Sequence, residues 1–223
     1  MNSPLTVRAS AISAQEIASA LAAGAAVVLP TETVYGLAIQ PDAPSGRERV
    51  FELKGRPKEM NLPVVIGATE QLDRLGVDFN ETARLLAERF WPGPLTLVMG
   101  FAPDRERPAW LAGREEVAIR FPDHELLREV ARAAGPLLVT SANRHGTGPK
   151  SVASEAAASL RGTVDLIVDG GTLSSTPSTI VNTRWSPPRI ERVGAVPAAE
   201  IEAIVGAARA LTTESRAIPS ANC

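Results

Sequence analysis

The chain has 223 residues, 44% of them apolar but only 4% aromatic, and a formal charge of −2. That length fits one large α/β domain or two small ones, with a core built from Ala, Val, Leu and Ile. The near-neutral balance excludes a global basic field, so any contact with RNA must use a local patch.

The lone cysteine, Cys223, excludes an internal disulfide framework or a thiolate zinc site and fits a reducing cytoplasm. No run approaches the ~18 apolar residues of a membrane span, and the segment around Arg8 lacks a signal-peptide layout. A soluble, cytoplasmic protein is expected, with one domain over residues 8–210 and a flexible tail over 211–223.

Ser13 followed by Glu16 is a capping-box pattern, and it predicts a helix from about 14 to 23 that Gly24 stops. Ala25 to Leu29, closed by Pro30, reads as a strand buried on both faces. Thr31 to Leu37 leave its carboxyl end. A helix over Arg47 to Lys54 is closed by Pro57, and Pro63 to Gly67 reads as a strand.

Asn80 caps a helix with Ala83, Leu86 and Phe90 on one face, stopped by Trp91-Pro92-Gly93-Pro94. Strands follow at Leu95 to Met99 and Val117 to Arg120, then a helix over Glu125 to Ala134 and a buried strand over Pro136 to Thr140. Leu166 to Val168, Thr179 to Val181 and Arg189 to Val193 are later strands, and Ala198 to Ala210 is the last helix. Strands alternate with helices early and cluster late, which predicts a mixed sheet.

Ligands of open α/β sheets collect beyond strand carboxyl ends. Four polar segments stand out: Thr31 to Gly36, Lys54-Gly55-Arg56-Pro57, Ser141-Ala142-Asn143 and Ser178-Thr179, with Arg120 and Arg192 on neighbouring strands. They offer cations, hydroxyls and an amide, with neither a nucleophile-base pair nor a metal cluster, and that set suits anions. Arg supplies a planar fork and Lys a point charge. In a chain with 20 Arg and three Lys, Lys54 at this position points to a need for ammonium.

Each segment also has a plainer reading. Lys54 and Arg56 can end an amphipathic helix whose dipole favours cations, and Ser141-Ala142-Asn143 can cap the next element. His124 and His145 stand alone and read as turn or surface residues. P-loop, dinucleotide-fold and nucleophile-elbow patterns are absent, so any ATP site uses another scaffold.

Taken together, the segments resemble the YrdC-like threonylcarbamoyl-AMP synthase family. Pro30 to Leu37 is similar to its N-terminal signature, Lys54-Gly55-Arg56 to its K-x-R element, and Ser141-Ala142-Asn143 to its S-x-N element. Pro177 to Val181 and Arg192-Val193-Gly194 match its last two elements. Two departures stand out: Asn182 where the family commonly has Asp, and Asn61-Leu62-Pro63 in place of Asn-Pro-Leu. A longer type of the family adds a C-terminal domain, and this chain resembles the short one.

The resemblance implies a twisted open mixed sheet with flanking helices around a large cationic cavity. It also implies condensation of L-threonine, bicarbonate and ATP, brought with Mg2+, to threonylcarbamoyl-AMP and pyrophosphate. The product would serve a downstream transferase complex that modifies adenosine 37 of tRNA. By the same resemblance Lys54, Arg56, Ser141 and Asn143 are catalytic, and Thr33, Tyr35, Arg56, Arg120, Thr140 and Ser178 hold threonine and bicarbonate. Arg120 is expected to grip the threonine carboxylate as a bidentate fork. Lys54, Arg56, Asn61, Ser141, Asn143, Ser151 and Arg192 are expected to hold ATP. The competing readings are a non-catalytic tRNA- or double-stranded-RNA-binding module, a carbamoyl-adenylating domain of hydrogenase maturation, and a degenerate paralogue.

Overall fold

The capping box at Ser13 forms. Its hydroxyl accepts the Glu16 N–H at 3.2 Å while the Glu16 carboxylate accepts the Ser13 N–H at 2.8 Å, starting helix α1 (Ala14–Ala22). In this computed structural model, which describes residues 4–43, 46–57 and 60–216, α1 leads into a sheet of ten strands. The strands are β1 (Leu5–Arg8), β2 (Val27–Leu29), β3 (Gly36–Ile39), β4 (Val64–Val65), β5 (Leu95–Met99), β6 (Val117–Arg120), β7 (Leu137–Ser141), β8 (Leu166–Asp169), β9 (Thr179–Asn182) and β10 (Arg189–Arg192).

Their order across the sheet is β1-β8-β2-β3-β7-β4-β6-β5-β9-β10. Parallel pairs such as β4 with β6 and β5 with β9 sit beside antiparallel ones such as β3 with β7 and β5 with β6. The sheet is mixed, twisted and open, as the sequence predicts. β3 is the element that the sequence reading leaves inside a loop. It is the antiparallel partner of β2, and Pro30 and Gly36 punctuate a connection that turns back rather than away.

Helices α2 (Gly46–Lys54), α3 (Gln71–Leu75), α4 (Glu81–Phe90), α5 (Glu125–Ala134), α6 (Ala153–Ala158) and α7 (Ala198–Arg216) flank the sheet with α1. Strand alternation divides the core into two. Val28, Leu37, Ile39 and Leu138 pack into the larger cluster with residues of α2, α4, α6 and α7. Val27, Leu29, Ala38, Leu137 and Val139 face the other way, against Ile17 and Leu21 of α1 and Leu127, Val130 and Ala131 of α5. Both faces are covered, which is why these strands read as continuous apolar runs.

α7 continues past the expected end at 210 to Arg216; residues 217–223 of the expected tail, including Cys223, lie outside the described residues. No helix among the described residues is long and apolar enough to cross a membrane.

Candidate active site

Strand ends of both senses, the end of α2 and the loops beside them enclose a cavity of about 620 Å³. Of the residues expected at the site, Lys54, Arg56, Asn61, Arg120, Thr140, Ser141, Asn143, Ser178 and Arg192 all line it. The segments spaced far apart in the chain therefore converge.

Lys54 is the last residue of α2 and only 3% exposed. Its Nζ donates to the carbonyl of Ser141 and, at 2.8 Å, to that of Asn143. The Lys54 carbonyl in turn accepts the His145 N–H at 2.8 Å, so the loop after β7 is wrapped around this side chain. An ammonium has three donors, and two go to backbone. Burial, and secondarily the charge of Arg56, lowers its pKa to about 8.

Arg56 donates to the Asn61 carbonyl at 3.0 Å, and its buried Nε has no partner among the described residues. Burial lowers its pKa as well. Asn61 thus reaches the cavity despite the altered residue order around it. Asn143 is buried; its amide donates to the carbonyls of Arg144 and Thr147, leaving Oδ1 an unpartnered buried acceptor. An open donor and an open acceptor in one wall are groups that a ligand can satisfy.

The opposite wall is built on β6, β9 and β10. Arg192 donates from Nε and Nη2 to the Ser178 carbonyl at 3.0 and 2.8 Å, and from Nη2 to the Ser178 hydroxyl at 3.1 Å. That hydroxyl lies 2.8 Å from the hydroxyl of Thr96. β10 can close on β9 there because Gly194 has no side chain; a Cβ would lie 2.2 Å from the Pro177 carbonyl oxygen. Burial, then the neighbouring charge of Arg120, lowers the Arg192 pKa. On the floor, Gly36 leaves the same kind of room, since a Cβ would meet Val139 at 2.7 Å.

Three expected residues do not line the cavity. Thr33 is buried and touches the lining through Thr31, whose hydroxyl lies 2.9 Å from its own, and through Arg120, whose Nη2 donates to the Thr33 hydroxyl at 2.8 Å. Tyr35 is 1% exposed, and its hydroxyl donates to the Gly171 carbonyl at 2.6 Å and accepts the Gly170 N–H at 3.0 Å. Ser151 accepts the Leu173 N–H through its carbonyl at 2.8 Å. Tyr35 and Ser151 pin the 170–173 segment instead.

The sequence reading misses Thr96, Glu116, His145 and Glu191, all in the lining. Glu116 has a signal in hindsight, because it directly precedes β6 and keeps the alternation that brings Ala118 and Arg120 into the lining. The carboxylates also explain one departure from the family pattern. The Asn182 amide donates to Glu191 at 2.7 Å and to Glu116 at 3.3 Å, while Arg184 pairs with Glu116 at 2.6 Å. An Asp at 182 would set a third carboxylate against two others, with no donor to offer.

The Sua5/YciO/YrdC family model, described as "Telomere recombination", matches residues 19–194. A threonylcarbamoyl-AMP synthase of Pyrococcus abyssi is 39% identical over 83% of this chain and 55% of its own length. One of Bacillus subtilis is 39% identical over 81% of this chain and 53% of its own. The chain thus spans about half the length of these two relatives. The crystal structure of P. abyssi Sua5 complexed with L-threonine superposes with a TM-score of 0.80 at 34% identity, covering 92% of this chain and 61% of that one. With this fold, these converging segments and a match over most of its length, the chain belongs to the Sua5/YciO/YrdC family.

Proposed function

We propose that the cavity makes L-threonylcarbamoyladenylate from L-threonine, bicarbonate and ATP. The observation that carries this reading is the convergence in one enclosure of Lys54, Arg56, Arg120 and Arg192 with Ser141, Asn143 and Ser178. Relatives named threonylcarbamoyl-AMP synthase, and a relative crystallised with L-threonine, support it.

The neutral amine of threonine attacks the carbon of bicarbonate; water leaves and an N-carboxylate forms. A carbamate oxygen then attacks the α-phosphorus of ATP and pyrophosphate departs. A carboxylate, a carbamate and a triphosphate must meet, and each pair of unit charges at 4 Å repels by roughly 4 kcal/mol at an effective dielectric of 20. Cationic side chains offset that repulsion.

Lys54 and Arg56 take the carbamate and phosphates, each with a donor still open. Arg120 takes the threonine carboxylate, with Thr33 and Ser178 fixing the groups around it. Ser141 and Asn143 orient phosphate and carbamate, and Arg192 meets the nucleotide phosphates. Catalysis is then positioning and charge stabilisation, with no protein base required.

Among the described residues no three His, Cys, Asp or Glu gather as a metal cage. Glu116 and Glu191 are already held by Arg184 and Asn182, and Mg2+ is assigned to the phosphates of ATP. The product would pass to a threonylcarbamoyl transferase acting on tRNA in the cytoplasm.

Mass spectrometry of a reaction of ATP, Mg2+, bicarbonate and threonine tests this. The adenylate should form, and pyrophosphate release should need both threonine and bicarbonate. Salt-dependent RNA binding without turnover would replace this reading with that of a binding module.

A further inference from the structure

The turn between β2 and β3 is built on the Thr31 hydroxyl, which accepts the N–H groups of Thr33 and Val34 at 3.0 and 3.1 Å. This turn delivers Glu32 to the end of β6. There Glu32 Oε1 stands 2.8 Å from Arg120 Nη2 and accepts the Asp123 N–H at 2.9 Å. The side chains are 17% and 11% exposed, so solvent screens the pair little. The other Glu32 oxygen is buried with no partner among the described residues.

Both bidentate edges of a guanidinium include the same nitrogen: Nη2 with Nε, or Nη2 with Nη1. In Arg120 two oxygens already stand at 2.8 Å from Nη2, those of Glu32 and Thr33. Nε is aimed at the Gly93 carbonyl at 3.4 Å. Only Nη1 has no hydrogen bond or ion pair among the described residues. The fork expected from the sequence is therefore occupied from inside the protein.

We infer that Glu32 is a positioning residue. It fixes the guanidinium of Arg120 so that an incoming α-carboxylate meets it through Nη1 alone, in one orientation. This rests on the proposed threonine site and adds to it a residue that acts without touching substrate. Length and hydrogen bonding of the side chain set this orientation, so an uncharged amide of the same length preserves it. Glu32 must span from the Asp123 N–H to Arg120, which Gln can do and Asp, shorter by a methylene, cannot.

The test compares Glu32→Asp with Glu32→Gln. Glu32→Asp should raise the KM for threonine about tenfold and leave that for ATP within about twofold, while Glu32→Gln stays within about twofold for both. Equal behaviour of the two variants, or impairment of Gln alone, overturns the inference.

Nitrogen-15 spectra of the arginine side chains supply a readout that needs no turnover. Hindered rotation should keep the Arg120 Nη signals resolved in the wild type and in Glu32→Gln and merge them in Glu32→Asp. If the wild type releases no pyrophosphate, the proposed reaction fails, and these spectra alone decide the role of Glu32. Resolved signals in Glu32→Asp would reject it.

Discussion

The two walls of the cavity hold their cations in different ways. On the α2 and β7 side, Lys54 and Arg56 are held by backbone carbonyls, with no carboxylate partner among the described residues. On the β6 and β10 side, Arg120 is paired with Glu32; Arg192 is held by the Ser178 carbonyl, but Glu116 and Glu191 share the lining with it. A carbonyl orients a cation and leaves its full charge in the cavity; a carboxylate orients it and cancels much of that charge. The first wall is thus suited to stabilising charge that develops in reaction, and the second to recognising groups that arrive already charged.

Removing Lys54 sets the sharpest test of that contrast. Lys54→Ala should lower turnover by at least ~100-fold, a loss of roughly 2.7 kcal/mol of transition-state stabilisation. Pyrophosphate release measures it. Near-wild-type release would take Lys54 out of the mechanism and erase the distinction between the walls.

A pH series separates charge from packing at the same residue. The lysine ordinarily titrates at 10.5 and here at about 8, because burial disfavours its charged form. Below about 8 it is protonated and attracts phosphate; above, it is neutral. If only the charged form binds, affinity for MgATP should fall roughly tenfold between pH 7 and 9, and a Lys54→Met variant should show a flat profile.

Stability should move the opposite way. Between about 8 and 10.5 the unfolded chain holds the proton that the folded one has lost, so this residue's contribution rises with pH across that window. Calorimetric titration and thermal melts over one pH range would show both trends. A fall in both together would assign the loss of binding to unfolding.

On the second wall the effects should be smaller. Asn182→Asp replaces a donor shared by Glu191 and Glu116 with a third negative charge. Roughly 1 kcal/mol of repulsion at 4 Å in a water-like dielectric corresponds to an about fivefold loss of MgATP affinity, shrinking at high salt. Unchanged affinity at low salt would mean that the carboxylate pair lies outside the field of the bound nucleotide.

How much of this was legible in the sequence follows from the range of the forces involved. α4 and α5 carry their caps and apolar periods within a dozen residues, and the structure reproduces Glu125–Ala134 and β5 at Leu95–Met99 as read. β3 was hidden because its second partner, β7, lies about a hundred positions away in the chain. β4 pairs over only two of the five residues expected, since Gly67 turns under α5, where a Cβ would lie 2.3 Å from the Arg128 carbonyl oxygen. The cations of the site could be picked out because they close predicted elements, Arg120 and Arg192 at the ends of β6 and β10 and Lys54 at the end of α2. Glu191 could not, because its place depends on Asn182, and neither spacing nor composition pairs those two residues.

Tyr35 gives the smallest expected effect on activity. It sits two residues from Thr33 in the signature segment, and sequence proximity suggests a shared cavity. The fold buries the ring and commits the hydroxyl to Gly170 and Gly171 at the end of β8. Tyr35→Phe should therefore strand one N–H and one carbonyl and cost about 1–2 kcal/mol of stability. That corresponds to a drop of about 2–8 °C in melting temperature for a domain of this size. The KM values for threonine and ATP should stay within about twofold of wild type at a temperature where both proteins are folded. A selective rise in the KM for threonine with an unchanged melting temperature would return Tyr35 to the binding site and show that the 170–173 segment opens when substrate enters.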